Sequence, residues 1–196
     1  MPSGKFSLPH RDAVRMDKDT TKLRVVYDAS AKGKGPSLNS CLHSGRPPLS
    51  PLTLALLVRF RMNKVAVRAD IDKAFLNISI DPEHRDYLRF LWVDIPFSNS
   101  PTIKPMRFAR VVFGVTSSLF ILNATIRYHV NQYAALDPEF VQEVLKSLYV
   151  DDYASGSSTV SSTVELCKKI KSRLADGGFN MRKWESNSRD HGKLGV

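Results

Sequence analysis

The stretch SLYVDDYAS, Ser147 to Ser155, sets Asp151 and Asp152 side by side in a run of strand-forming residues. Two full charges about 4 Å apart repel by roughly 4 kcal/mol at the effective dielectric near a protein surface. Holding them together calls for a cation or a turn. The run reads as a hairpin, with Leu148, Tyr149 and Val150 in one strand, Asp151-Asp152 at the turn and Tyr153 starting the return. A third carboxylate, Asp70, lies late in KVAVRADID, where Val65, Val67, Ala69 and Ile71 alternate with Ala66, Arg68, Asp70 and Asp72. A strand buries the first set and turns the second, Asp70 included, the other way. Pairing the two strands brings three carboxylates to one sheet edge. Such a cluster suits Mg2+, a hard cation that takes oxygen ligands and is usually shared with substrate phosphates. Two such ions about 3.5 to 4 Å apart activate an attacking hydroxyl and stabilise the leaving group of an in-line phosphoryl transfer. The plainer alternative is a solvated turn, where aspartate is common.

Charge and composition set the frame. Lys and Arg number 29 against 19 Asp and Glu, a net charge of +10, with a sequence pI near 9.8. That excess is expected of a protein that grips phosphate backbones, and equally of a basic ribosomal or membrane-surface protein. With 42 % apolar residues over 196, the chain can bury a core, and no apolar run reaches the length of a membrane span. The N-terminus has no apolar signal segment, so a cytoplasmic, non-secreted protein is expected. Cys41 and Cys167 form no C-x-x-C pair and are expected to be buried thiols. None of the five histidines shows the helical i, i+4 spacing of a metal pair.

Several elements must position the carboxylates. Residues 1 to 22 read as loop, followed by a strand over LRVVYD and a flexible basic loop over ASAKGKGPSLNS that lacks the order of a P-loop. Ser50 as N-cap and Pro51 at the first position open a helix over LTLALLVRFRMN. Asp81 and Pro82 open a short helix. LRFLWVDI and MRFARVVF read as a hairpin joined by PFSNSPTIKP. A long helix is expected from Ser117 to Ala135, and another beginning at Asp137-Pro138. In the next helix Val160, Val164, Cys167, Ile170 and Leu174 recur at three- and four-residue steps, with Gly177-Gly178 as its stop. FNMRKW reads as a last strand. The mixture, with hairpins and no repeating βα unit, predicts an α+β fold with an antiparallel sheet.

The ordered blocks KLRVVYDAS, RADIDKAFLNI, FGVTSSLFILNAT, LYVDDY and GGFNMRKWESN resemble reverse transcriptases, most closely those of BEL/Pao retrotransposons. The resemblance runs from about Leu8 to Asn187. It implies the fingers and palm of a right-hand polymerase, with an RRM-like antiparallel sheet packed on helices and the thumb missing. Residues 1–196 are then one domain, fingers roughly 1–64 with part of 81–110 and palm the remainder. The implied reaction is nucleotidyl transfer from dNTP to a primer 3′-hydroxyl on an RNA or DNA template, with two Mg2+ ions, for which Mn2+ can substitute. The implied setting is cytoplasmic, including virus-like particles. The protease, RNase H and integrase of a Gag-Pol-like polyprotein are expected elsewhere in it.

Carried over by position, the resemblance makes Asp70 and Asp151 the principal metal ligands and Asp152 the auxiliary carboxylate. Phe75 falls at an aromatic gate against the ribose 2′-hydroxyl, with core packing as its alternative. Lys22 and Arg24 match finger residues that grip the triphosphate, a task suited to the forked donors of a guanidinium. Phe113 and Gly114 match the block that supports nucleotide and template, and Lys183 the lysine that donates a proton to pyrophosphate, with a solvent-facing strand lysine as its alternative. Asp72 is expected to be a local surface charge and Trp184 a packing anchor. The alternative is a catalytically silent nucleic-acid-binding or structural remnant, favoured by Leu119 where related elements commonly carry proline. An aspartic peptidase is a third reading, poorly matched because Asp28-Ala29-Ser30 lacks the signature glycine.

Overall fold

The computed structural model describes residues 6–14, 23–43, 52–94 and 100–188. In chain order these form β1 (His10–Val14), β2 (Leu23–Tyr27), α1 (Leu38–Cys41), α2 (Thr53–Met62), β3 (Val65–Ile71), β4 (Arg89–Asp94) and β5 (Thr102–Arg107). Then follow α3 (Ser118–Asn131), α4 (Pro138–Ser147), β6 (Leu148–Tyr149), β7 (Asp152–Ser157), α5 (Val160–Asp176) and β8 (Met181–Ser186). Two 3₁₀ turns span Ala74–Asn77 and Pro82–Tyr87. Among the described residues every pairing between these strands is antiparallel, and helices are interspersed, so the fold is α+β. Among the described residues no helix is long and apolar enough to cross a membrane.

The chain divides into two compact units, Met1–Gly45 with Ile78–Ser118, and Arg46–Asn77 with Leu119–Val196. The first holds two ribbons, β1–β2 and β4–β5. Its core gathers Leu8, Ala29, Leu38, Val112 and Val115, with Tyr27 and Phe108 packed against them. Tyr27, Phe90 and Phe108 stand 4.7 to 5.2 Å apart between ring centroids in edge-to-face and tilted contacts, the arrangements that ring quadrupoles favour.

The second unit is a four-stranded sheet in the order β6-β7-β3-β8. Along β3, Val65, Val67, Ala69 and Ile71 are buried as the alternation requires, Ala66 is buried besides them, and the four share the core with Tyr153, Leu122, Ile126, Val144, Cys167, Ile170 and Leu174. Helix α5 packs on β3, β7 and β8, and α4 on β7. Asp137 caps α4 by accepting from the Phe140 N–H at 3.0 Å. The same carboxylate pairs with Lys169 at 3.0 Å and Arg173 at 2.9 Å on α5. The Lys169 ammonium, the Phe140 amide and the Arg173 guanidinium hold it down at about 2.

Several expectations are corrected. Residues 10 to 14, read as loop, form β1, because pairing with β2 satisfies a polar segment that has no buried face of its own. A short helix, α1, interrupts the loop read over residues 29–40, capped by Ser37. The expected entry of α2 at Ser50-Pro51 lies outside the described residues, and its cap is Leu52, without a side-chain bond. Strand β5 starts inside the expected connecting loop and ends at Arg107; Pro105 is tolerated because a two-stranded ribbon consists of edges. Thr163, not Val160 or Val164, is fully buried on α5. Cys41 is exposed, while Cys167 is buried.

Gly156 shows where the sheet tolerates no side chain. A Cβ there would stand 2.2 Å from the Val65 carbonyl oxygen and 2.8 Å from the Asn63 Cβ. Gly156→Ala is therefore expected to cost about 1 to 3 kcal/mol, as overpacking does. Chemical denaturation checks this, and an unchanged midpoint would contradict the close approach.

Candidate functional site

The register of the sheet brings the carboxylates together. Tyr149 pairs with Asp152, Asp152 with Asp70, and Asp70 with Arg182, so one row crosses all four strands. Directly opposed residues in antiparallel strands share a face, and that face is opposite the one that buries Ala69 and Tyr153. The Ile71 N–H donates to the Asp151 carbonyl at 2.8 Å, which ties the next residue of the turn to the end of β3. Asp70, Asp151 and Asp152 are thus at one end of one sheet, as the sequence predicts.

The turn differs from expectation by one residue. Strand β6 stops at Tyr149, and Val150-Asp151, not Asp151-Asp152, are the two central residues. Leu148 opposes Tyr153 and both are buried, so core burial sets the pairing and the turn must accommodate it. Val150 has φ +58° and Asp151 does not share the positive sign, the pattern of a type II′ turn, whose first position is ordinarily glycine. A β-branched residue there stores about 1 to 3 kcal/mol of strain.

A second irregularity supplies the cation. Between Arg182, opposite Asp70, and Glu185, opposite Arg68, strand β8 carries two residues against the single Ala69. Lys183 is the extra residue, at φ +52°. In a regular strand it would alternate onto the core face. The bulge gives that place to Trp184, which meets Tyr153 edge-to-face at 6.4 Å, and releases the lysine. Its Nζ donates to Asp70 Oδ2 at 2.7 Å. Arg182 pairs with Asp72 at 2.9 Å, so Asp72 is a partnered surface charge. The third non-glycine residue at positive φ, Lys73 at +49°, directly follows Asp72. Among the described residues, every such residue therefore flanks this site.

The electrostatics follow from the crowding. Burial, and then the charges of Asp152 and Asp70, push the Asp151 carboxyl above its ordinary value, against the pull of its own backbone amide and of Lys183. The hydrogen bond to Asp70 raises Lys183. Asp70 Oδ1 is buried and accepts no hydrogen bond, an uncompensated acceptor of the kind that a cation or donor normally meets. Among the described residues no group of three or more His, Cys, Asp and Glu side chains stands ready-made around one metal position. The donor chemistry, all carboxylate oxygen with one buried oxygen of Asp70 unpaired, fits a hard divalent cation.

The other expected residues distribute as follows. Phe75, in the second unit with the carboxylates, lies in the 3₁₀ turn after β3 and is 2 % exposed, so its ring is part of the packing whatever else it does. Lys22 lies outside the described residues, and Arg24 is on β2 opposite Ala13. Phe113 is 63 % exposed, and Gly114 has φ +85°, where a Cβ would stand 3.0 Å from the Tyr27 carbonyl oxygen. Arg24, Phe113 and Gly114 belong to the first unit. Sequence reasoning misses Asn39, whose Nδ2 donates to the Gly114 carbonyl at 2.9 Å and whose Oδ1 accepts from the Thr116 N–H at 2.8 Å. It also misses Arg182 and Tyr149 in the carboxylate row. Asn39 and Arg182 carry no signal because their partners are distant in sequence, whereas Tyr149 faces Asp152 only once the turn is shifted by one residue.

Compared with known proteins, the chain matches no protein-family model and no curated protein.

The raised Asp151 carboxyl has a stability consequence. A carboxyl whose folded value exceeds its unfolded value favours folding when protonated, and that contribution is lost as pH rises through the folded value. Asp151→Asn is therefore expected to raise Tm at neutral pH in EDTA, with the gain vanishing below the ordinary carboxylate range. A Tm lowered equally at both pH values would contradict the crowding.

Proposed function

We propose that the chain is the fingers-and-palm part of an RNA-directed DNA polymerase, resembling the reverse transcriptases of BEL/Pao elements. The observation that carries this reading is the opposition of Asp70 to Asp152, with Asp151 in the adjoining strained turn. Backbone strain concentrates where a site over-determines its geometry, and the three described non-glycine residues at positive φ, Lys73, Val150 and Lys183, all flank these carboxylates. The five ordered sequence blocks and the net charge of +10 support the same reading.

Asp70 and Asp151 would hold divalent ions, with Asp152 beside them. Bound there, Mg2+ would supply activation of a primer 3′-hydroxyl and neutralisation of the leaving pyrophosphate. The protein's own share is positioning. The β3–β7 register fixes the spacing of the carboxylates, and the buried apolar layer beneath keeps the row rigid. Lys183, freed from Asp70, has an ammonium on a long flexible stem that can reach and protonate a phosphate oxygen. On the resemblance alone, Arg24 and Lys22 would serve as triphosphate-gripping residues and Gly114 as a point of close backbone approach, while in the second unit the Phe75 ring would border the sugar. RNA or DNA template-primer and dNTPs are the partners, and the polyprotein setting belongs to the same proposal.

Primer extension on a primed RNA template tests it. Mg2+-dependent dNTP incorporation is expected to fall by about 10²-fold or more in Asp151→Asn, the scale seen when a main electrostatic stabiliser is removed. Incorporation unaffected by that change would defeat the assignment. Template binding without incorporation would favour the silent nucleic-acid-binding remnant. If Phe75 is a gate, Phe75→Val raises rNTP use relative to dNTP; a lowered Tm with unchanged sugar preference leaves it a packing residue.

A further inference from the structure

We infer that Lys183 is a tethered internal cation, competing with the divalent ion for Asp70, so that ion binding and the Asp70–Lys183 pair exclude one another. The inference rests on the proposed cation-binding role of Asp70 and Asp151 and adds a regulation of that site.

Three observations support it. The ammonium already sits 2.7 Å from Asp70 Oδ2, an ion-pair distance, while Oδ1 of the same carboxylate is buried without a donor. One oxygen is therefore taken by a cation belonging to the chain and the other is left for something else. The side chains differ in exposure: that of Lys183 is 79 % accessible and that of Asp70 only 27 %. The lysine can withdraw into water at little cost, whereas the carboxylate stays fixed on β3. Finally, the lysine reaches this face only because β8 carries one extra residue there, at φ +52°. A strained bulge that re-aims one side chain is a device found beside sites, and without it Trp184 and Lys183 could not both be served.

Competition also accounts for the charge balance. Asp70, Asp151 and Asp152 place three carboxylates together, and Lys183 lowers the burden on Asp151 as well as pairing with Asp70. Without divalent ions the lysine holds the cluster together. With a divalent ion held by Asp70 and Asp151, the same ammonium would turn away from Asp70 into solvent.

Titration of the protein with Mn2+, followed by the electron paramagnetic resonance signal of the free ion and with neither template nor nucleotide present, tests this directly. Lys183→Gln is expected to bind Mn2+ about 1.5- to fivefold more tightly than the native chain, the range set by removing a competing, largely exposed ion pair. Lys183→Arg should stay close to native, since it restores a competing cation, and Asp70→Asn should lose the binding in either background. Lys183→Asn, whose side chain tolerates the left-handed conformation, serves as a second variant should the glutamine disturb the bulge. Equal or weaker Mn2+ binding by both neutral variants overturns the competition but leaves the cation site standing. Absence of binding in native and variant proteins alike overturns both readings.

Discussion

The pairing of β3 with β7 is the constraint on which the site depends. Four apolar residues of β3 must face α5 and the core, and Tyr153 and Ser155 of β7 must be buried with them. A sheet side chain has only two directions, so once those are buried Asp70 and Asp152 have no choice but the opposite face, and the register sets them against each other. A slip of β7 by one residue would turn Asp152 to the core and Tyr153 out of it. The hydrophobic layer therefore does more than stabilise the unit: it enforces a repulsive arrangement of carboxylates that no local preference would select.

Two backbone irregularities complete that arrangement, and both are imposed by the same layer. Opposing Leu148 and Tyr153 leaves only Val150 and Asp151 to make the turn, which drives a β-branched residue to φ +58°. Seating Trp184 against Tyr153 while Arg182 and Glu185 keep their partners leaves Lys183 as the extra residue. In each case an aromatic or aliphatic contact on one face decides what the charged residue on the other can do. The strain is small beside the burial it accompanies, since each large side chain removed from water contributes about 1.5 to 3 kcal/mol.

Much of this arrangement is legible in the sequence. The period-2 alternation of residues 65–72 predicts both the strand and the side on which Asp70 lies, and Asp137-Pro138 marks the start of α4. The three- and four-residue spacing of Cys167, Ile170 and Leu174 identifies the buried face of α5. What escapes depends on partners. Asp151-Asp152 is the better turn by residue preference, yet the tertiary pairing of Leu148 overrides it. The bulge in MRKWES cannot be seen in one strand, because an extra residue is defined only against the neighbour that lacks it. Strand β5 is hidden by Pro105, which weighs against a central strand but not an edge. Asn39 gives no signal at all, being short, polar and in a glycine-rich stretch.

Anomalous diffraction from crystals of the chain soaked in Mn2+ tests the central claim most directly. The account predicts a manganese peak bridging the carboxylates of Asp70 and Asp151, with the Lys183 ammonium displaced from Asp70. Manganese bound elsewhere, with that lysine still paired to Asp70 and nothing between the two aspartates, would contradict it.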